Sequence, residues 1–166
     1  MKKIYVLTFV FIGVGLILLG VYFMVQRNVD RRVRQAEIHD RGSLVMPFDL
    51  NKTTHYFQQT DTGGVMQIKT INPNDQEQIL LIRHHLQKEA DLFADADFSD
   101  PESLHGADMP GLPTLSSAFG KFSVQYAELA DGAQLTYQTD DPEVITAFHQ
   151  WFMAQLMDHG SDAIQN

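Results

Sequence analysis

The chain has 166 residues, no cysteine and a formal net charge of −9, which leaves room for one core of ordinary size beside an N-terminal apolar stretch. Without Cys it has no disulfides, thiolate ligands, iron–sulfur clusters or thiol catalysis. Residues 1–45 carry 7 Lys and Arg against 3 Asp and Glu, and residues 46–166 carry 5 against 18; so acidic a surface disfavours nucleic acid and concentrates cations.

Ile4 to Val25 is a run of 22 residues without a charge, and a helix of about 20 apolar residues crosses a bilayer. It follows Met1-Lys2-Lys3, and no small-x-small cleavage site succeeds it, so the expectation is an uncleaved membrane anchor over residues 1–25. Arg27, Arg31, Arg32 and Arg34 favour a cytoplasmic domain by the positive-inside rule, whereas the short basic start favours export. The reading adopted is a single-pass inner-membrane protein with a periplasmic domain, in which residues 26–52 form a basic juxtamembrane segment and linker.

The domain is expected over residues 53–160, with 161–166 as a tail. Thr54 to Thr60 and Val65 to Ile71 alternate around Asp61-Thr62-Gly63-Gly64, which predicts a hairpin. Asn74 or Asp75 caps a helix over Gln76 to Phe93, whose Ile79, Ile82, Leu86, Ala90 and Phe93 recur every three or four residues. The plan then repeats. Phe122 to Leu129 and Ala133 to Thr139 form a second hairpin. A second helix starts at Asp141 with Pro142 in its first turn, and buries Val144, Ile145, Phe148, Phe152 and Leu156. This duplication predicts an α+β two-layer sandwich: a four-stranded, mostly antiparallel sheet with two helices on one face. The open sheet face is where a homodimer or protein partner is expected. Asp97 to Pro113 is the connector between the halves.

Six of the seven histidines lie in the domain. Imidazole and thioether bind transition metals, copper above all, and His105 with Met109, or His149 with Met153 and Met157 on one helical stripe, are candidate ligands. Against this, a histidine beside an apolar helix face is more often a packing residue, and methionine more often core filler. Asp91, Asp95, Asp97, Asp100 and Glu102 lack the spacing of a calcium loop. No phosphate loop, nucleophile elbow or zinc-protease helix is present, so an enzyme is not indicated.

Residues 46–160 resemble a family of small bacterial proteins without an established activity, some of which carry the label aspartate carbamoyltransferase. The shared pattern is Phe48-Asp49-Leu50 with Thr53-Thr54-His55-x-Phe57, then His85-Leu86-Gln87-x-Glu89-Ala90, then Asp97-Phe98-x-Asp100-Pro101 with His105-Gly106-x-x-Met109-Pro110-Gly111-Leu112. It continues in Asp131-Gly132-Ala133, Tyr137-x-Thr139-x-Asp141-Pro142, His149-x-Trp151-Phe152 and Gln155-Leu156-x-Asp158-His159-Gly160. The transferase label does not fit, since the Ser-Thr-Arg-Thr-Arg carbamoyl-phosphate loop of that enzyme is absent. The resemblance implies that His55, His85, His105, His149 and His159 belong to the family's motif, whereas His84 does not. The expected function is a membrane-anchored domain binding copper or another transition metal through these five histidines and Met109, with at least two of the histidines within reach of each other. The alternatives are a non-catalytic structural or interaction module of the cell envelope and, less strongly, a metal-dependent enzyme.

Overall fold

A computed structural model of the protein describes residues 2–165, with side chains from Gly15 onward. It divides into two compact units, residues 1–36 and 37–166. Helix α1 (Lys2–Val45) runs for 44 residues without a break, and its apolar side chains from Leu16 to Val25 are exposed.

The expected anchor is overturned. Among the described residues no helix is long and apolar enough to cross a membrane. Only 11 residues of the charge-free run, Gly15 to Val25, have described side chains, about half of what a span needs; the side chains of Ile4 to Val14 lie outside what is described. The single-pass inner-membrane location is corrected with it.

The second unit holds β1 (Thr53–Thr60), β2 (Gly63–Thr70), α2 (Gln76–Ala94), α3 (Ser99–His105), α4 (Leu112–Ser116), β3 (Ser123–Leu129), β4 (Gly132–Gln138), α5 (Pro142–His159) and β5 (Ala163–Gln165). Both hairpins and both long helices fall where the periodicity puts them. Asp75 caps α2 by accepting from the Gln78 N–H at 3.3 Å, and Asp141 caps α5 through the Glu143 N–H at 3.0 Å, so each helix start is fixed by a local carboxylate.

The sheet is a correction. It is mixed and has five strands in the order β3-β4-β2-β1-β5, not four. After α5, Gly160 (φ 57°) reverses the chain, and β5 then pairs in parallel with β1 from His55↔Ala163 to Phe57↔Gln165. Three residues are too few to show alternation, and the strand exists because the β1 edge offers free backbone groups. The connector between the halves is also more ordered than expected, because α3 and α4 fill it. Gly111 (φ 84°) precedes α4, and a Cβ there would collide with the Ala147 carbonyl oxygen of α5.

The two halves interlock. Arg83 of α2 donates to the carbonyls of Leu129 (2.6 Å) and Gly132 (3.3 Å) at the turn of the second hairpin. On α5, His149 Nε2 donates to the Thr60 carbonyl at 2.9 Å and Gln59 Nε2 donates to the His149 carbonyl at 3.1 Å, which ties that helix to the first hairpin. Each helix thus packs on the strands of the other half, so neither half closes a core alone. Ile82, Leu86, Phe148 and Phe152 are fully buried in the shared core. The opposite face of the sheet is polar, with Gln67 donating to Gln134 across β2 and β4 at 3.0 Å.

Candidate functional site

The apolar stripes of α2 and α5 continue through polar residues. On α2, Leu86 is followed at helical spacing by Glu89 and then Phe93, and on α5, Phe152 is followed by Gln155 and then Asp158 and His159. Helical spacing turns Glu89, Gln155, Asp158 and His159 inward, where all are buried. His85 is also buried, not at the margin of its stripe; His149, half-buried, is at the margin.

These groups converge on a cavity of about 50 Å³ between α2, α3, α5 and the inner face of β1 and β2. β1 supplies His55, α2 His85 and Glu89, α3 Asp100 and His105, and α5 Trp151, Gln155 and His159. Val45 and Met46, at the end of α1, line one side, and Phe57, Met66 and Phe93 are among its apolar walls.

Three of the five motif histidines form one group. His55 and His159 stack at 5.0 Å between ring centroids with 11° between planes, and His105 meets His159 edge-on at 5.1 Å. His105 Nδ1 donates to Asp158 Oδ2 at 2.9 Å, a buried pair, and His159 Nε2 donates to Gln155 Oε1 at 3.0 Å. His85 approaches from the other side, its Nδ1 4.0 Å from Glu89 Oε1, and Phe48 lies between it and His55, with ring centroids 5.6 and 6.1 Å away. His149 is apart, held by the Thr60 carbonyl, and Met109 is core filler at 3% exposure.

The expected metal-binding character is a correction. Among the described residues no three His, Asp or Glu side chains are placed to hold a metal ion. Imidazole lone pairs lie in the ring plane, and the nearly parallel planes of His55 and His159 do not aim theirs at a common point; Asp158 and Gln155 occupy a nitrogen on each of the other two rings.

Burial sets the charge states. Loss of solvent lowers His55 to about 4, with His85 as the next cause; the Asp162 carboxylate and then its backbone, which does not reach hydrogen-bond geometry, act in the opposite direction. Desolvation and Lys88 lower His85 to about 4, and desolvation with His55 and His105 takes His159 well below the usual imidazole range. Glu89 moves the other way, up to about 8, through desolvation and its hydrogen bond with Asp100. Asp100 is held below the usual carboxylate range by Lys88, whose Nζ is 2.8 Å away. At neutral pH His55, His85 and His159 are therefore neutral and Glu89 is protonated.

Among the described residues, five buried side-chain polar atoms have no hydrogen-bond partner: His55 Nδ1 and Nε2, Glu89 Oε1, Tyr137 Oη and Trp151 Nε1. Three of the four side chains line this cavity. The fourth, Tyr137, is fully buried beside Trp151, ring centroids 5.8 Å apart, and burial, with Glu89 once ionised, pushes its hydroxyl well above the usual phenol range. No known protein family, curated protein or solved structure matches the chain.

Proposed function

We propose that residues 37–166 form a binding domain for a small, uncharged, polar molecule held in this cavity. The observation that carries the reading is the clustering of orphaned polar atoms. Each buried group left without a partner costs about 1–3 kcal/mol, and native proteins keep very few of them. A ligand with both acceptors and donors meets the Trp151 N–H, the Glu89 carboxyl and either nitrogen of His55 at once. The lowered imidazoles of His55, His85 and His159 supply no positive charge for an anion. Size is limited as well: about 50 Å³ corresponds to about four waters, or to a molecule with roughly that many heavy atoms.

Trp151 is the only tryptophan of the chain, so its fluorescence reports on the cavity. Titrating the full chain with small amides, alcohols and ketones should give a saturable change in Trp151 emission for at least one class, which His55→Phe weakens. Emission and backbone NMR shifts that stay flat across the whole panel would falsify the assignment.

A further inference from the structure

The cavity separates a proton acceptor from a proton donor. His55 enters from β1 as a neutral imidazole with no hydrogen bond on either nitrogen, and Glu89 enters from α2 with no hydrogen bond on Oε1. Behind Glu89 the carboxyl of Asp100 shares its proton, and Lys88 Nζ lies 2.8 Å from Asp100 and 3.6 Å from Glu89 Oε1. That ammonium is placed to balance a second negative charge if the proton leaves. Trp151 lines the same space, and its N–H has no hydrogen-bond partner.

We infer that the cavity is an acid–base site for the enolisation of a small ketone or hydroxyketone, with His55 as the base and Glu89 as the acid. The inference rests on the ligand-binding reading above and adds chemistry to it. The step balances within the cavity. His55 takes a proton from the carbon next to the carbonyl, and the electron pair of that C–H bond becomes the new C=C bond. The carbonyl π pair moves to oxygen, which receives the proton from Glu89 while the Trp151 N–H holds it. His55 is left as imidazolium, and Glu89 and Asp100 as carboxylates beside Lys88. Return of the proton from His55 to the same carbon, with the enol O–H proton going back to Glu89, completes an exchange. In a hydroxyketone, delivery to the former carbonyl carbon, with the neighbouring hydroxyl giving its proton to Glu89, completes an isomerisation; neither needs an oxidant or a metal. Two titratable groups whose surroundings push their proton affinities in opposite directions are the arrangement such chemistry uses, and a positioned acid or base contributes about 100- to 10,000-fold.

The test is deuterium uptake from D₂O into the α-carbons of hydroxyacetone, followed by NMR with the full chain, alongside binding measured by Trp151 fluorescence. The expected result is exchange well above that of buffer with heat-denatured protein. Glu89→Gln and His55→Gln should each lower it about 100-fold while hydroxyacetone still quenches Trp151 and the fold is intact by circular dichroism. Binding without exchange overturns the inference and leaves the binding reading standing, whereas neither binding nor exchange overturns both. Exchange that survives both substitutions overturns the assignment of acid and base. Should either Gln variant fail to fold, Lys88→Met, at an exposed position, takes its place: its exchange rate should fall at least several-fold with binding retained, and an unchanged rate counts against the inference.

Discussion

One core holds two unlike regions. At one end Phe93, Phe98, Phe122, Tyr137, Phe148 and Trp151 pack ring against ring, most of them edge-on or tilted, at centroid distances such as 4.9 Å for Tyr137 and Phe148 and 5.5 Å for Phe98 and Trp151. At the other end, equally deep, His55, His85, His105 and His159 sit with Glu89, Gln155 and Asp158. The aromatic end gains free energy from every square ångström it buries. The polar end gains less, because each hydrogen bond there replaces one to water and the unpartnered groups cost. A protein keeps so unfavourable a region where it serves binding or chemistry.

The comparison breaks most sharply in stability. Phe148→Ala should cost about 4 kcal/mol, since a fully buried ring leaves a cavity that its neighbours only partly fill. Urea denaturation at pH 5 and pH 8 should show the same loss, because no titrating group is removed.

The polar end should respond to pH instead. His55, His85 and His159 bind protons more readily unfolded than folded, so stability is full above about pH 6.5 and falls as pH drops through the window towards 4. For His55 and for His85 the loss is on the order of 3 kcal/mol each. Glu89 has the opposite sign: its folded affinity for the proton is raised, so its contribution is present below about pH 4.5 and is lost as pH rises towards 8. Urea midpoints across pH 4–8 should decline on the acid side, and His55→Phe should reduce that slope by about one proton. An acid limb as steep in His55→Phe as in the parent protein would place the titration elsewhere.

Asp158→Asn sharpens the comparison at a single bond. It removes the charge that accepts from His105 Nδ1 and should cost about 2 kcal/mol at pH 7, measured as a lower urea midpoint at unchanged m-value. Phe122→Leu, a partly buried change at the aromatic end, should cost less than the full loss of a ring. The smallest effect is expected from His149→Ala, which deletes the half-buried bond to the Thr60 carbonyl and should cost about 1 kcal/mol. It should leave Trp151 fluorescence and any ligand response unchanged, because His149 stands outside the cavity.

Local rules sufficed for the frame. The hairpins at Asp61-Thr62 and Ala130-Asp131, the caps at Asp75 and Asp141 and the stripes of α2 and α5 are short-range features, and a chain shows them without folding. That at least two of His55, His85, His105, His149 and His159 come together was expected only through a resemblance; which ones, and in what geometry, was not legible, because three elements far apart in the chain create the group. Glu89, Gln155 and Asp158 left one sign: polar residues at core-facing positions of an amphipathic stripe, which predict buried polar groups as surely as leucines predict a core. Met109 and His149 fitted a metal-ligand pattern by residue type and were placed elsewhere by packing.

The sequence by itself therefore determined the two hairpins, the two long helices and the acidic, cysteine-free character of the domain, because period, capping and composition act over a few residues. Tertiary structure alone decided that each helix crosses to the other half, that residues 163–165 close the edge of β1, and that His55 and His159 stack rather than converge. Those outcomes depend on which surfaces meet and which backbone edges are left open, and a stacked pair of neutral rings beside a protonated Glu89 exists only once burial has removed the water that would charge them.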